Sequence, residues 1–476
     1  MTRLASSKNT LINNPRAGAF FLGVLAASGF APLFWWPVSL VTLGLLLALV
    51  FGPWQPPTPL NTKKVFALTW LFGFGFSAAS LWWMMGAFRY TGIGGWGLFA
   101  APFAILALSA IMALWTAAPL TLAYALKRFL PVALLPLLIA GLWVGAEFIR
   151  ALSIYGLPWH LFGYIFAGHD VLLQPAALGG VFLLSFLGVL LPASLAAGKN
   201  RLVLIYIPII LGFFIWGGWR LYNAPGMQAV ANVTIIQPNV PQDRKWQTSA
   251  LELTQEVFEH LAASPKDTDL TVLPETALTF LKQAAPGIGE IINGYTPKGS
   301  GLVLGIPTKE NGFYFNGALS FSTTGEELDL FAKKLLVPFG EFVPLKSFLP
   351  AFIQQFAPGS TYSPGQGART LETSIGKALP LICYEAIFPL HLKKAEKETN
   401  PLFMLNITND GWFAGTTGPH QHFAISRVRS VETGLTQIRA ANTGISGFID
   451  GYGRVIKRLD VEQFGYLRSS VFEQIK

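Results

Sequence analysis

Over roughly its first 220 positions the chain alternates long apolar runs with short polar or Gly/Pro-rich gaps. From residue 221 onward the apolar runs shorten to strand length. A helix that crosses a hydrocarbon core of about 30 Å needs about 20 mostly apolar residues. Seven segments fit that requirement, at 17–33, 35–52, 64–86, 98–126, 131–152, 171–197 and 202–220, with loops such as PWQPPTP at 53–59 between them. The first lies too far into the chain, and too close to the next, to be a cleaved signal peptide. In the second part, Val230 to Ile236 predicts a strand running into Gln237-Pro238-Asn239, and Ala250 to Ala263 predicts an amphipathic helix. Further strands are expected at 269–273, 301–306, 315–321, 379–383, 403–408, 437–441, 445–450 and 466–472, with helices near 285–293, 388–397 and 419–434. Pro419 opens the last helix and Gly434 closes it. Strands mixed with helices in this way make one α/β domain, whose layer order periodicity alone does not fix. The domains expected are therefore 1–220, a transmembrane domain of about seven helices, and 221–476, a globular domain.

Composition sharpens this division. At 52% hydrophobic and 12% charged residues the chain is no ordinary soluble protein. Residues 1–220 hold two acids, Glu147 and Asp170, against 12 Lys and Arg, whereas the remainder holds 23 acids against 22 Lys and Arg. The net charge of +9 thus reports basic membrane loops rather than a nucleic-acid surface. Arg3, Lys8, Arg16, Lys63, Lys64, Lys127, Arg128, Lys199 and Arg201 fall on one side of the expected spans, and only Arg89 and Arg150 in the short loops of the other. That bias puts the amino terminus in the cytoplasm, and seven crossings deliver residue 221 to the opposite side. Glu147 and Arg150, at i and i+3, are expected to neutralise one another as a structural pair. The aromatic, glycine-rich GLPWHLFGYIF at 156–166 suits an element at headgroup level.

Cys383 is the only cysteine, so no intramolecular disulfide is possible. It stands at the carboxyl end of an apolar strand, before Tyr384 and Glu385. A free thiol has a pKa near about 8.5 and needs a base or cation beside it to act as a nucleophile. Two other apolar stretches present such groups. LTVL at 270–273 ends in Pro274 and Glu275, and FAKKLLVPFGEFVP at 331–344 carries Lys333 and Lys334 before an apolar run and Glu341 after it. His420 and His422 are two residues apart on a predicted helix, which splays them onto different faces, and no third ligand cluster accompanies them, so no metal is expected. Gly451 and Gly453 read as a turn, not a phosphate loop.

The P-E of 274–275, the K-x-x-L-V-P-F-G-E of 333–341 and the C-Y-E of 383–385 resemble the Glu-Lys-Cys triad of the nitrilase superfamily. With VPFGEFVP, with NDGWFAGTTGPHQHF at 409–423 and with the apolar first half, nearly the whole chain is similar to the bacterial apolipoprotein N-acyltransferase family. The resemblance implies a multi-span α-helical membrane bundle joined to a nitrilase-like α-β-β-α sandwich. It implies Glu275 as general base, Lys333 as oxyanion stabiliser, selected over Lys334 by the K-x-x-L-V-P spacing, and Cys383 as nucleophile. Glu341 and Glu385 follow as supporting carboxylates, making three with Glu275 around one lysine, and Tyr384 and Asn316 as further supporting residues. Trp246, in PQDRKW on an arm over the site, and Trp412 follow as substrate-binding residues.

The reaction so implied is the last step of lipoprotein maturation. A fatty acyl group passes from a phospholipid, phosphatidylethanolamine by expectation, through a Cys383 thioester to the α-amine of the diacylglyceryl-cysteine that begins an apolipoprotein. No cofactor is needed, because donor ester and thioester are close in energy. The expected setting is a monomer in the bacterial cytoplasmic (inner) membrane with its catalytic domain on the periplasmic side. Family members usually carry one more span after that domain, and no such segment follows FGYLRSSVFEQIK. Two other readings stay open on the residues: a membrane-anchored carbon-nitrogen hydrolase with water as acceptor, and a transporter or receptor whose globular part only binds and for which Cys383 is dispensable.

Overall fold

A computed structural model describes residues 14–52, 60–90, 95–197, 204–226, 228–343, 362–367 and 369–475. Of the loop cations, Arg3, Lys8, Lys199 and Arg201 lie outside the described residues, as do the PWQPPTP loop and Pro344. The chain divides into two compact units, one of Met1–Met85 with Ala100–Ala224 and one of Gly86–Phe99 with Pro225–Lys476.

The first unit is helical. Among the described residues, four stretches are long and apolar enough to cross a membrane: Thr62–Tyr90, Gly95–Phe129, Val132–Ala151 and Ala176–Ala196. Trp36–Val50 is apolar but shorter. The segment expected at 17–33 is a helix only over Pro15–Ala26 and then tightens into a 3-10 turn at Ala27–Gly29. Pro32, which has no N–H to continue a helix, follows directly. The last expected segment is the helix Tyr206–Tyr222. Glu147 and Arg150 act on one another electrostatically as expected, without a direct ion pair among the described residues, while Trp143 Nε1 (3.0 Å) and the Phe162 amide (2.7 Å) donate to Glu147 Oε1. The stretch at 156–166 is packed inside the helical unit from Pro158 to Phe166, with Trp159 4.3 Å from Trp83 ring to ring.

The second unit is a sandwich of two six-stranded sheets, with strand orders β12-β1-β2-β3-β4-β5 and β11-β10-β9-β8-β7-β6. The strands are β1 Ala229–Gln237, β2 Leu270–Val272, β3 Gly301–Glu310, β4 Phe313–Phe321, β5 Glu327–Ala332, β6 Leu371–Thr373, β7 Gly376–Ile382, β8 Phe403–Thr408, β9 Gln437–Ala441, β10 Ser446–Ile449, β11 Val455–Leu459 and β12 Gly465–Phe472. β1, β2 and β3 pair in parallel, as do β7, β8 and β9, and the outer strands are antiparallel. Val233, Ile235, Val272 and Val303 of one sheet share a core with Ile382, Phe403, Leu405 and Ile438 of the other. Each such fully buried side chain contributes about 1.5–3 kcal/mol.

The outer faces are covered by helices. Val257 and Leu261 of α1 (Ala250–Ala262) and Ile288 and Ile292 of α2 (Ile288–Asn293) pack on the first sheet, and Leu392 and Ala395 of α3 (Pro389–Thr399) on the second. Ser249 caps α1 by accepting from the Glu252 amide at 3.2 Å. The layers are therefore α-β-β-α. A fourth helix, α4 (Gly418–Thr433), is buried along almost its whole length and ends at Gly434 in the left-handed conformation, φ 69°.

Candidate functional site

Three strand ends supply the site. Beyond β2, the Leu273 amide donates to Val303 O (2.8 Å) and the Gly305 amide to Pro274 O (3.1 Å), which carries the strand geometry up to Glu275. Position 305 has to be glycine, because a Cβ there would stand 2.3 Å from the Thr276 nitrogen and 2.6 Å from Glu275 Cα. Lys333 follows β5 directly, and its amide donates to Asn316 O at 2.8 Å. Cys383 follows β7 with φ 51°, in the left-handed region where a residue with a Cβ is strained. A sharp turn out of a buried strand thus carries the thiol.

Lys333 and two carboxylates form a closed, buried group. The Lys333 ammonium is 1% exposed, 2.9 Å from the Glu341 carboxylate and 3.6 Å from Glu275 Oε1. Asn316 Nδ2 donates to Glu275 Oε1 (2.7 Å) and to Glu341 Oε1 (3.0 Å), the Asn409 amide donates to Glu275 Oε2 (2.8 Å), and the Val337 amide to Glu341 Oε2 (2.8 Å). Burial by itself would lower the Lys333 pKa, but Glu341, Glu275 and Cys383 more than reverse that and leave it raised. The lysine is therefore a fixed cation.

Cys383 behaves oppositely. Burial pushes its thiol up and the Glu275 charge pushes it further, with Lys333 opposing, Asp410 adding to the rise and a hydrogen bond from Thr408 opposing it. The resting group is a thiol, so attack on a carbonyl requires its proton to be removed as the bond forms. Glu275 is the carboxylate whose charge acts most strongly on that thiol.

The remaining expected residues divide. Glu385 does not join the two carboxylates at Lys333. Its Oε1 accepts from the Lys334 amide (2.9 Å), the Leu335 amide (3.2 Å) and Arg369 Nη1 (2.9 Å), and its Oε2 from the Ile382 amide (2.8 Å). It ties the lysine loop to the strand that carries Cys383, so the expected trio of carboxylates around one lysine is a pair. The reason is direction: two residues past the sharp turn, the side chain points back along β7. Lys334, the other eligible lysine, donates from Nζ to the Gly367 carbonyl.

Tyr384 is buried, its ring 5.1 Å from that of Phe388, and its phenol pKa is raised by burial with Lys333 opposing. Trp412 lies on the 3-10 turn Asp410–Phe413, edge-on to Tyr90 at 5.7 Å. Trp246 sits in the short helix Gln242–Gln247, and its side chain lies outside the described residues.

Several residues of the site have no signal in the sequence read by itself. Arg369 is one. Lys245 is another; it is buried, donates from Nζ to the Glu275 carbonyl at 3.1 Å, and has its pKa lowered to about 8 by burial, with Glu275 opposing. Tyr362, at the edge of the same group, has its phenol pushed up to about 12 by burial and by Glu341 and Glu275. Asn409 belongs to the NDGWF motif, which was a usable signal. Among the described residues no group of three or more His, Cys, Asp or Glu is placed to hold a metal ion.

The arrangement suits acyl transfer: a thiol nucleophile, a carboxylate to take its proton, and a fixed cation where negative charge develops on a carbonyl oxygen. The chain is similar to several known proteins. Residues 22–194 match the model for the apolipoprotein N-acyltransferase N-terminal domain, and residues 232–468 match that for carbon-nitrogen hydrolases. The chain is 32% identical to the apolipoprotein N-acyltransferase of Rickettsia typhi, over 96% of this chain and 92% of that protein. It is 31% identical to that of Pseudomonas paraeruginosa over 95% and 89%, and 32% identical to that of Rhodopseudomonas palustris over 95% and 88%. Among solved structures, the yeast nitrilase-superfamily protein Nit3 is 18% identical with a TM-score of 0.37, covering 52% of this chain and 91% of that one.

Proposed function

Since the chain belongs to the apolipoprotein N-acyltransferase family, we propose that it carries a fatty acyl group from a membrane phospholipid, via a thioester on Cys383, to the α-amine of a diacylglyceryl-cysteine at the start of an apolipoprotein. In the first half-reaction the Cys383 sulfur bonds to the ester carbonyl carbon and the carbon–oxygen bond of the phospholipid breaks. Glu275 takes the thiol proton and returns it to the departing lysophospholipid oxygen. In the second half-reaction the amine nitrogen bonds to the thioester carbon, the carbon–sulfur bond breaks, and Glu275 relays the amine proton to the sulfur. Lys333 faces the oxyanion in both steps, with Glu341 and Asn316 holding its ammonium and the Glu275 carboxylate in place. The observation that carries this reading is the buried Lys333 ammonium held between Glu341 and Glu275 beside a strained Cys383 turn.

A lipid substrate also gives the apolar helices a purpose. Each acyl methylene exposed to water costs about 0.8 kcal/mol, so the donor is best met at the bilayer. The protein is placed as a monomer in the bacterial inner membrane, with about seven spans, a cytoplasmic amino terminus and the sandwich on the periplasmic side. Trp246 and Trp412 are placed as substrate-binding residues. Incubation of the purified chain with phosphatidylethanolamine and a diacylated lipopeptide tests the reading. One N-acylated peptide per lysophospholipid is expected, and free fatty acid without N-acylated peptide would instead mark a hydrolase with water as acceptor.

A further inference from the structure

Cys383 holds a left-handed backbone conformation without being glycine, so something outside its own strand must hold that turn. One such support comes from α4. His422 Nε2 lies 3.1 Å from the Cys383 main-chain carbonyl, and because a carbonyl oxygen only accepts, the ring nitrogen donates. The other ring nitrogen, Nδ1, lies 2.8 Å from Asp410 Oδ1 and 3.1 Å from Arg439 Nη2, so a ring that donates from Nε2 either accepts at Nδ1 from the guanidinium or carries a second proton for the carboxylate. Asp410 is held in turn: Thr408 Oγ1 donates to its Oδ1 (3.0 Å) and Arg439 Nη2 to its Oδ2 (2.8 Å), while Arg439 also donates to Ser426 Oγ (3.0 Å) and the Ile445 carbonyl (3.2 Å). Asp410 and Arg439 are wholly buried and His422 is 1% exposed. The result is a rigid chain of polar contacts from β9 and β10, through the turn after β8 and through α4, to the carbonyl of one residue. His422 is also one of the two histidines that the sequence singled out and that the acyl-transfer chemistry left without a role.

We infer that His422 is a positioning residue: clamped by Asp410, it donates from Nε2 to the Cys383 carbonyl and fixes the turn that aims the sulfur at the acyl donor. This rests on the reading of Cys383 as nucleophile. The carbonyl contact does not touch substrate, so its loss acts on the attack geometry. A displacement of about 1 Å at a reacting atom costs on the order of a hundredfold in rate.

The test compares side chains of different reach in the full-length enzyme in detergent. In His422→Gln the amide nitrogen stands about where Nε2 stood, whereas in His422→Asn it reaches only as far as Nδ1. The rate of acyl transfer from phosphatidylethanolamine onto Cys383 is expected to fall about a hundredfold in His422→Asn and His422→Ala and to return most of the way in His422→Gln, with KM for the donor unchanged. Equal loss in the Gln and Asn variants, or a wild-type rate in His422→Asn, would overturn the proposal. Should the Asn and Ala variants fail to fold, nitrogen NMR of the wild-type histidines decides: the His422 signal must show a proton on Nε2 at neutral pH, and a bare Nε2 would equally overturn it. Cys383→Ala is run alongside. Acyl transfer that survives that substitution would sink the nucleophile reading itself, whereas its loss together with a wild-type rate in His422→Asn would sink only the role of His422.

Discussion

At Lys333 one buried ammonium balances two carboxylates, and removing it leaves Glu275 and Glu341 buried without their counter-charge. Lys333→Met is expected to destabilise the protein by about 3–5 kcal/mol and to stop acyl transfer, measurable as a drop in denaturation midpoint alongside the activity assay. Glu341→Gln, which keeps the shape and one acceptor, should lower activity with a smaller loss of stability. The raised pKa of Lys333 gives stability that is complete below its unfolded value of 10.5 and is lost only as pH rises through the higher folded value, so it adds no slope near neutrality. Asp410 does the opposite. Burial would raise its carboxyl, but Arg439 and His422 outweigh burial and hold it down to about 2. Its stabilisation is present above the unfolded value of 3.8 and is lost as pH falls through about 2. Melting curves between those limits should fall with acid in the wild type and flatten in Asp410→Asn.

At the scale of elements, the site depends on joints between strand ends. Glu385 joins the lysine loop, the end of β7 and Arg369, and its partners are all donors, buried except for the half-buried Lys334 amide. Glu385→Ala should cost about 3–5 kcal/mol because it strands Arg369, and pairing it with Arg369→Met should recover part of that loss by removing the orphaned charge. Gly305→Ala should displace Glu275 and remove activity, since the added methyl collides with main chain rather than with a flexible side chain.

How far the sequence carries follows from the same elements. β8 and the later parts of β1 and β7 are legible because both faces are buried there and most of their residues are apolar. That is also why Glu275 and Cys383 stand out as charged or nucleophilic groups at the ends of apolar runs. β11 reads VIKRL with its middle exposed, β6 has three residues, and β5, ELDLFA, starts on an exposed acid, so none of the three announces itself as a strand. Arg369 and Lys245 act only through contacts with residues far away in the chain, and no local pattern records such contacts. The sequence also gives Glu385 the wrong neighbours, because spacing along the chain does not say which way a side chain leaves a sharp turn.

At the scale of the whole molecule, one chain combines apolar helices with a carbon-nitrogen hydrolase sandwich and belongs to a family whose members are acyltransferases. The proposed topology puts the amino terminus and the carboxyl-terminal domain on opposite sides of the membrane. A periplasm-dependent phosphatase fused after Lys476 should be active, and the same enzyme fused before Met1 inactive. The reverse pattern would overturn the orientation, and the same result from both fusions would overturn the odd span count.

The central claim is that Cys383 carries the acyl group between two substrates, and intact-protein mass spectrometry reads it directly. Purified enzyme incubated with phosphatidylethanolamine alone should gain the mass of one fatty acyl group, lose it on addition of a diacylated lipopeptide, and gain nothing as Cys383→Ala. A wild-type protein that turns over both substrates without ever gaining that mass, or a Cys383→Ala protein that gains it, would contradict the account.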